Sequence, residues 1–340
     1  MSRIPIGIIG CGGMAKTHAS RFAGLEERMV VTAAVDLEKE QAEQLAALFP
    51  GAVAALDYRT VLDRVDAVLV AVPHHLHYPV AIDCLNAGKH VLIEKPMANS
   101  EPECLDLIAT ADRVGRTLMV AYCMRFDPCV AMMKELLDAR TYGNCFQLSI
   151  WTEQLTRREP GHWYNRAATL GGGQLFSHGC HYIDLLMWYL GRPEYGVHLG
   201  TNMGTPWMER EGTSNVTMHF ESGALGYHFG SWGARGTRLS YSFHAHCEQG
   251  MLEFRLKSDR FDGEDLIFHA GGKEEVLFQA ERSKPTRDEM VHFLDCIESG
   301  AVPLTNPVDS LEGLRVIWRL YEAEQRGTVA DLRGLGLKLT

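Results

Sequence analysis

The sequence predicts an α/β domain with a doubly wound parallel sheet, followed by an α+β domain with an open, mostly antiparallel sheet. Over about the first 120 residues, short apolar runs alternate with helix-like segments, as in parallel strands that are buried on both faces. Beyond about residue 125, apolar and polar residues alternate within the runs, which is typical of strands with one buried face. We therefore predict two domains, residues 1–123 and 124–340.

In the first domain, five strands and four helices are predicted in alternation. The strands are 4–9, 29–35, 67–72, 91–93 and 118–121, and the helices are 15–23, 39–49, 79–87 and 101–114. The last helix has a start signal, with Ser100 at the N-cap and Pro102 at the first helical position. This order is that of a doubly wound sheet.

In the second domain, the pattern predicts strands between helices. The strands are 145–151, 215–220, 225–229, 239–246 and 251–254, and the helices are 130–137, 287–298 and 309–325. Glu221-Ser222-Gly223 has the composition of a hairpin turn between two of these strands.

The formal charge of −10 and the lack of a basic run argue against a nucleic-acid partner. No apolar stretch approaches the length that spans a bilayer, and the N-terminus shows no signal-peptide pattern. We expect a cytoplasmic protein. The nine cysteines are scattered without a Cys-x-x-Cys pair, which favours small buried thiols over a zinc module or a disulfide framework.

A glycine loop joins the first predicted strand to the first predicted helix. Its residues are Gly10, Cys11, Gly12, Gly13, Met14 and Ala15. Gly10 permits a tight turn, Gly12 lets the backbone approach a pyrophosphate, and Ala15 permits close packing of helix on strand. The free N–H groups at a helix N-terminus favour an anion. We therefore predict that this loop, including Gly13 and Met14, binds a dinucleotide.

Asp36 follows the second predicted strand. A carboxylate at this position can accept hydrogen bonds from both ribose hydroxyls and repels a 2′-phosphate. Asp36 therefore favours NAD over NADP, unless it is an ordinary surface acid at a strand end.

The turn Glu94-Lys95-Pro96 ends a predicted parallel strand, and ligands bind at the carboxyl ends of such strands. The ammonium group of Lys95 could polarise the oxygen of an alcohol or carbonyl at the reacting carbon. Pro96 stiffens the turn, and Glu94 could pair with Lys95 or with the cofactor amide. The alternative is that Lys95 is a solvated surface charge.

Three glycines, residues 171–173, precede a helix-like run. At 3.6 residues per turn, Ser177, His181 and Asp184 lie on roughly one side, and His178 is a near neighbour. A histidine at this place could exchange a proton with a substrate hydroxyl. It could also be a capping or core histidine.

Arg125, Trp163 and Arg166 are candidate substrate contacts. Arg125 follows the last predicted strand of the first domain, and the other two lie in a polar loop before the glycines. Each could instead have a surface or packing role. The histidines at 74, 75, 77, 178 and 181 lack the cysteine or acid spacing of a known metal site, so no metal is expected. His244 and His246 share one face of a predicted strand. We expect this face to be a polar surface of the sheet or an oligomer contact.

Several motifs together resemble the Gfo/Idh/MocA oxidoreductases. They are the glycine loop 10–15, the segment 72–77 (Val-Pro-His-His-Leu-His), the run 87–91 leading into Glu94-Lys95-Pro96, Met124-Arg125-Phe126, and the segment from Gly171 to Asp184. The resemblance covers roughly residues 3–190. It implies a Rossmann domain with an open-sheet domain, and NAD(P)-linked oxidation or reduction of sugars, cyclitols or their derivatives.

The resemblance also implies roles for individual residues. It makes Lys95 and His181 catalytic, and it places Val72, Pro73, His74 and His77 along the cofactor, with Glu94 and Lys95 nearby. One position departs from the family pattern, because Ser177 stands where many relatives carry an aspartate. Serine cannot supply charge. Either His178 or Asp184 then takes part of that role, or the substrate differs.

We therefore expect an NAD-dependent dehydrogenase acting on a secondary alcohol or ketone of a sugar, sugar acid or cyclitol. One alternative is a redox-neutral enzyme that retains NAD and cleaves a glycoside by oxidation, elimination and reduction. Another is a non-catalytic NAD-binding regulator. An open sheet face needs cover, so a homo-oligomer, dimer or tetramer, is expected.

Overall fold

The computed structural model describes residues 3–237, 239–257, 263–281 and 284–335. Within these residues the chain forms two compact units. One contains the chain up to Cys123 together with Pro285–Leu311, and the other contains Met124–Lys284 together with the residues from Glu312 onward. The division expected from the sequence keeps residues 285–311 with the second domain, whereas here they pack within the first unit.

The helices follow the predicted positions closely. They are α1 (Gly13–Ala19), α2 (Lys39–Ala46), α3 (His77–Asn86), α4 (Glu101–Val114), α5 (Pro128–Asp138), α6 (Ala167–Leu170), α7 (Cys180–Leu190), α8 (Thr286–Ser299) and α9 (Pro307–Arg326). Short 3₁₀ segments occupy Tyr58–Arg64, His74–Leu76, Cys123–Phe126 and Trp163–Asn165. No helix within the described ranges combines the length and apolar character needed to cross a membrane.

The predicted start signal of α4 is partly wrong. Ser100 occupies the N-cap, but its side chain makes no capping hydrogen bond. Pro102 is the second helical residue, because the helix begins at Glu101. Proline is tolerated there because N–H groups in the first turn have no partner within the helix.

The first unit contains a six-stranded parallel sheet in the order β3-β2-β1-β4-β5-β6. The strands are β1 (Ile4–Ile9), β2 (Met29–Val35), β3 (Val53–Ala55), β4 (Ala67–Val70), β5 (His90–Ile93) and β6 (Leu118–Val120). The order reverses between β1 and β4, so the predicted doubly wound architecture is confirmed. The crevice for ligands in such a sheet lies at this reversal, beyond the carboxyl ends of the strands.

The sequence pattern misses β3. This strand has three residues, none of them fully buried, at the edge of the sheet. A segment this short and this exposed has neither a buried apolar run nor a clear alternation.

The second unit contains a nine-stranded sheet in the order β14-β13-β12-β11-β7-β10-β9-β8-β15. The strands are β7 (Cys145–Glu153), β8 (Pro193–Thr201), β9 (Thr213–Phe220), β10 (Leu225–Ser231), β11 (Leu239–Cys247), β12 (Gly250–Lys257), β13 (Glu264–Ala270), β14 (Lys273–Ala280) and β15 (Ala330–Asp331). The β7–β10 pair is parallel and the other neighbours are antiparallel. The expected open, mostly antiparallel sheet is therefore confirmed, including the hairpin turn between β9 and β10.

Four strands of this sheet are not predicted by the sequence pattern, namely β8, β13, β14 and β15. The first contains one proline and two glycines, and β14 begins with Lys-Glu-Glu. Proline, glycine, lysine and glutamate are depleted in strands. The local sequence therefore does not indicate these strands, and their pairing with neighbouring strands identifies them.

Candidate active site

The glycine loop leaves open space where a dinucleotide needs it. Gly10 has a φ of +87°, and a Cβ there would lie 2.5 Å from the backbone oxygen of Ala71. Around Gly12 and Gly13, a Cβ would meet no described heavy atom within 4 Å. The loop thus requires glycine at its turn and is bare on its outer side, which fits a pyrophosphate placed against the backbone.

Asp36 connects the end of β2 to this loop. Its Oδ2 accepts a hydrogen bond from the backbone N–H of Cys11 at 2.7 Å, and its Oδ1 accepts one from the N–H of Glu38 at 2.9 Å. An ionised carboxylate has about four acceptor positions, so these two bonds fix the side chain and leave capacity for ribose hydroxyls. The half-buried residue therefore fits its predicted place beside the adenosine ribose.

Glu94 is held by a partner that the sequence does not indicate. The residue is 6 % exposed, and its Oε1 lies 2.9 Å from Nε2 of the fully buried His18 on α1. Its Oε2 also accepts a hydrogen bond from the backbone N–H of Lys95 at 3.3 Å. The carboxylate therefore joins the first helix to the Lys95 turn, a contact between residues that are 76 positions apart.

His77 braces the same turn. Its Nδ1 lies 2.7 Å from the carbonyl oxygen of Pro96, and its Nε2 lies 3.0 Å from that of Val72. Burial lowers the pKa of His77, although the two carbonyls oppose this shift, and a neutral ring donates to only one of these carbonyls at a time. The ring lies between the segment at Val72 and the Lys95 turn, and its place along the cofactor stays a prediction. His74 is buried beside it, with ring centroids 5.4 Å apart.

The helix that carries His181 begins irregularly. Residues Leu175–Gly179 form a π-helical turn, and α7 follows from Cys180. The uniform spacing of 3.6 residues per turn is therefore wrong for the segment containing Ser177. Ser177 and His181 are buried, whereas His178 is half-exposed. Such turns are frequent at functional sites.

Arg125 and Asp184 form a buried ion pair. The guanidinium Nε lies 2.8 Å from Oδ2 and Nη2 lies 2.6 Å from Oδ1 of the carboxylate. Both side chains are about 5 % exposed, and the guanidinium also lies over the ring of Trp188 at 5.2 Å. This geometry gives Arg125 a structural partner that the sequence does not indicate, and its role as a substrate contact stays a prediction. The pair also engages Asp184, the residue expected as one possible substitute for an aspartate at position 177.

Ser177 contacts an aromatic cluster. Its hydroxyl lies near the phenol of Tyr164, whose pKa is raised by burial and lowered in smaller part by this serine. The Tyr164 ring lies 4.8 Å from that of Trp232 and packs edge-on against Trp163 at 5.2 Å. Trp163 is half-buried in this cluster, whereas Arg166, the N-cap of α6, is exposed.

A line of polar groups reaches His178 from the sheet. Ser214 on β9 donates to Oε1 of the fully buried Gln174 at 2.7 Å. The amide nitrogen of Gln174 must then face Nδ1 of His178, 3.5 Å away. Nδ1 accepts this bond, so the neutral ring carries its proton on Nε2, which lies 3.4 Å from the hydroxyl of Tyr241. Sequence reasoning misses Gln174 and Tyr241, because no motif marks contacts made across a sheet.

A second network holds the start of this helical segment. The hydroxyl of Tyr321 accepts hydrogen bonds from the backbone N–H groups of Gly173 and Phe176, both at 3.2 Å, and donates to Glu211. Burial and the nearby Glu211 carboxylate raise the pKa of Tyr321 well above its usual value, so the phenol keeps its proton. Tyr321 therefore fixes the backbone just before Ser177.

Replacing Tyr321 with phenylalanine should lower the free energy of unfolding by about 1–3 kcal/mol, because two buried N–H groups and one carboxylate lose their partner. Urea unfolding measures this effect. Tyr195→Phe is the matched control, since Tyr195 is 46 % exposed. Equal stability of the Tyr321 variant and the wild type would contradict the assignment.

One group in the described part of the chain brings together donors that could hold a metal. It consists of Asp127, Cys129 and Glu264, all buried, with ligand atoms within 4.8 Å of one another. Asp127 also caps α5 by accepting from the N–H of Val130 at 3.0 Å. Burial raises the pKa of Asp127, and a hydrogen bond from Glu264 partly opposes this shift. We therefore interpret the group as two carboxyls that share a proton.

This pair predicts a pH dependence of stability. Because the folded pKa of Asp127 lies above its unfolded value, its contribution is complete below the unfolded pKa and is lost as pH rises through the folded pKa. Asp127→Asn keeps a hydrogen-bonding cap but has no proton to lose. Urea unfolding at pH 5 and pH 8 should show the variant gaining stability relative to wild type at the higher pH. Asp138→Asn, at the exposed end of α5, should show no such trend. A parallel trend in Asp127→Asn and wild type would contradict the shared proton.

Comparison with known proteins supports the division seen here. Residues 4–122 match the sequence model described as the oxidoreductase family with an NAD-binding Rossmann fold. Residues 130–253 match the model of the GFO/IDH/MocA C-terminal domain.

Among curated relatives, inositol 2-dehydrogenase 2 of Saccharopolyspora erythraea is 31 % identical over 65 % of this chain and 64 % of its own length. A 1-carboxy-3-chloro-3,4-dihydroxycyclohexa-1,5-diene dehydrogenase of Comamonas testosteroni is 34 % identical over 53 % of this chain and 46 % of its own length. The chain thus matches about half to two thirds of the length of these relatives.

Among solved structures, the aldose-aldose oxidoreductase from Caulobacter crescentus complexed with glycerol superposes with a TM-score of 0.86. It is 25 % identical, and the match covers 97 % of this chain and all of that one. The folds therefore agree over nearly the whole chain, while the matched sequence models cover the glycine loop, the Lys95 turn and the segment of His181. The chain belongs to the Gfo/Idh/MocA oxidoreductase family, and its first unit is an NAD-binding Rossmann domain.

Proposed function

We propose that the protein is an NAD-dependent dehydrogenase that acts on a secondary alcohol, or the corresponding ketone, of a sugar, sugar acid or cyclitol. The observation that carries this proposal is the support given to Lys95 at the carboxyl end of β5. Glu94 ties the turn to α1 through His18, and His77 ties it to the segment at Val72. A lysine with only a solvated surface role would not require buried contacts that fix its turn to two other segments.

The names of the relatives support this substrate class. They include inositol 2-dehydrogenase, levoglucosan dehydrogenase and glucose-6-phosphate 3-dehydrogenase, whose named substrates are all rings with several hydroxyl groups. The related structure is named for aldoses. A hydroxylated ring is therefore the first substrate class to test.

We assign the chemical steps as follows. Bound NAD would supply the hydride acceptor, or the donor in the reverse direction. Lys95 would place its ammonium beside the reacting oxygen, where it stabilises developing negative charge. His181 would take the hydroxyl proton during oxidation and return it during reduction.

His178 would bind the substrate in place of the aspartate that many relatives carry at position 177. Gln174 contacts Nδ1 and Tyr241 contacts Nε2 of His178, so these two residues would orient the partly exposed ring toward the substrate. Ser177 lies near the phenol of Tyr164 and brings no charge. The polar side chains at positions 177 and 178 could hydrogen-bond the neutral hydroxyl groups of a substrate. Trp163 and Arg166 are further proposed substrate contacts.

Asp36 should determine the cofactor preference. Asp36→Ser removes the acceptor for two ribose hydroxyls and the charge that repels a 2′-phosphate, so the ratio of kcat/KM with NAD to that with NADP should fall by about tenfold or more. Glu38→Ser, two residues further on and exposed, is the matched control. An unchanged ratio in the Asp36 variant would contradict the proposal that Asp36 determines the cofactor preference.

A screen of cyclitols, aldoses and sugar acids with NAD tests the proposed function. We expect a steady rise in absorbance at 340 nm with at least one of them. Cleavage of a glycoside without net NADH would instead support the redox-neutral alternative. NAD binding without turnover of any compound would support the alternative of a non-catalytic NAD-binding regulator.

We also propose that the protein assembles through the open face of its nine-stranded sheet. Apolar side chains stand exposed there on three strands, including Leu199 (68 % exposed) on β8, Leu225 on β10 and Trp151 on β7. His244 and His246 lie farther along the same face, where His244 contacts Ser242 and Glu253. A face of this kind favours a second copy of the chain as its cover.

A further inference from the structure

Two cysteines lie opposite each other in the second unit, although they are far apart in sequence. Cys145 on β7 pairs in register with Cys247 on the antiparallel neighbour β11. The pair lies at an irregularity of the ladder, next to His246. Both are free thiols. Neither takes part in the chemistry proposed above.

The backbone spacing suits a covalent bond between them. Directly opposed residues on antiparallel strands have Cα atoms about 4.5–5.5 Å apart, and disulfides span about 4.4–6.8 Å between Cα atoms. The two thiols share one register position, and each donates to a carbonyl oxygen of its own strand, Cys145 to that of Gln147 at 3.5 Å and Cys247 to that of Ala245 at 3.9 Å. Rotation of the two side chains toward each other would bring the sulfurs together without a change in strand pairing.

The thiol of Cys247 also differs in its pKa from other buried thiols of the chain. The neighbouring Cys145 side chain lowers the pKa of the Cys247 thiol, although burial opposes this shift. By contrast, burial raises the pKa of Cys11 and of Cys84 to about 12. The thiolate is the nucleophile. Cys247 is 5 % exposed, and the half-exposed Cys145 beside it gives access to a small oxidant.

We propose that Cys145 and Cys247 form a reversible disulfide when the protein meets a peroxide. The Cys247 thiol gives its proton to the solvent, the thiolate attacks one peroxide oxygen, the O–O bond breaks, and the leaving hydroxide takes up a proton from the solvent to become water. Cys247 is then a sulfenic acid. The sulfur of Cys145 attacks it, the S–S bond forms, the S–O bond breaks, and water leaves with the proton of Cys145. The two thiols lose two electrons and the peroxide gains them, and a dithiol reductant reverses the change.

The new bond would join two central strands of the sheet and close a long stretch of chain. Such a crosslink limits the unfolded state, so the midpoint of thermal unfolding should rise by about 4–15 °C. The oxidised protein should return to the original midpoint after reduction with dithiothreitol.

The test treats the full-length protein with hydrogen peroxide in slight excess, blocks remaining thiols by alkylation, and maps peptides without reduction. We expect a peptide in which Cys145 is linked to Cys247, with seven of the nine thiols still alkylated. Cys247→Ser and Cys145→Ser should abolish the link and the rise in midpoint, whereas Cys84→Ser should keep both.

Two results would overturn the proposal. One is a map of the wild-type protein in which this linked peptide is absent after peroxide treatment. The other is Cys247 found as a sulfinic acid while Cys145 remains a free thiol. The map of the wild-type protein decides the matter even if the serine variants fold poorly.

Discussion

Replacing Lys95 with alanine should lower kcat by about 10²-fold or more, because it removes a positioned cation from the oxygen on which charge develops. Binding of the cofactor should change little, since the glycine loop and Asp36 hold its other end. We therefore expect a Kd for NADH within about threefold of wild type by fluorescence titration, alongside the loss in kcat.

Lys89→Ala is the matched control for this variant. Lys89 stands just before β5, and Lys95 follows the same strand at its carboxyl end. The control removes an ammonium group from the opposite end of the same strand, away from the proposed chemistry. Its kcat should therefore remain near that of wild type. A Lys95→Ala enzyme with a kcat close to wild type would remove this residue from the mechanism.

The second large effect concerns His181. His181→Asn keeps a polar side chain of similar reach but cannot exchange a proton, so kcat should fall by about 10²- to 10⁴-fold. The remaining rate should also lose its dependence on pH near neutrality, where an imidazole ordinarily titrates. A pH–rate profile of kcat from pH 5.5 to 9 measures both effects.

His219→Asn serves as the control for His181. His219 lies on β9, where it stacks on Tyr195 and contacts Glu194 at 3.0 Å, outside the helical segment of the site. Its profile should match that of wild type. If the His181 variant retains a full titration near neutrality, another group is the base, and His178 would be the first to examine.

The parts of the fold that the sequence predicts are those in which local pattern and burial agree. Strands β1 and β2 are predicted at their observed bounds because their apolar runs are largely buried and end at a charged residue or a glycine. The charged edge strand β14 and the short strand β15 carry no such pattern. Their pairing depends on neighbours that are distant in sequence.

The site follows the same rule. The glycine loop and Asp36 are local signals, and the structure shows them hydrogen-bonded to each other. The partners of the predicted residues are long-range contacts, such as that between Glu94 and His18 or that between Arg125 and Asp184. Because no motif contains both members of such a pair, the sequence alone favours a substrate contact for Arg125.

The π-helical turn before α7 shows a different limit. Helical spacing assumes a regular 3.6-residue turn, and nothing in the composition of Leu175–Gly179 signals its change. Two residues in this turn are Ser177, the position at which this chain departs from the aspartate pattern, and His178, its possible substitute. Their contacts with Tyr164 and Gln174 are visible only in the structure.

The central claim is that this protein transfers a hydride between a ring carbinol and NAD. The most direct test uses the best substrate of the sugar and cyclitol screen, deuterated at its carbinol carbons, and measures the mass of the reduced nicotinamide that accumulates. The account predicts one deuterium per reduced cofactor and one reduced cofactor per substrate consumed. Substrate loss with no accumulation of deuterated NADH would contradict it.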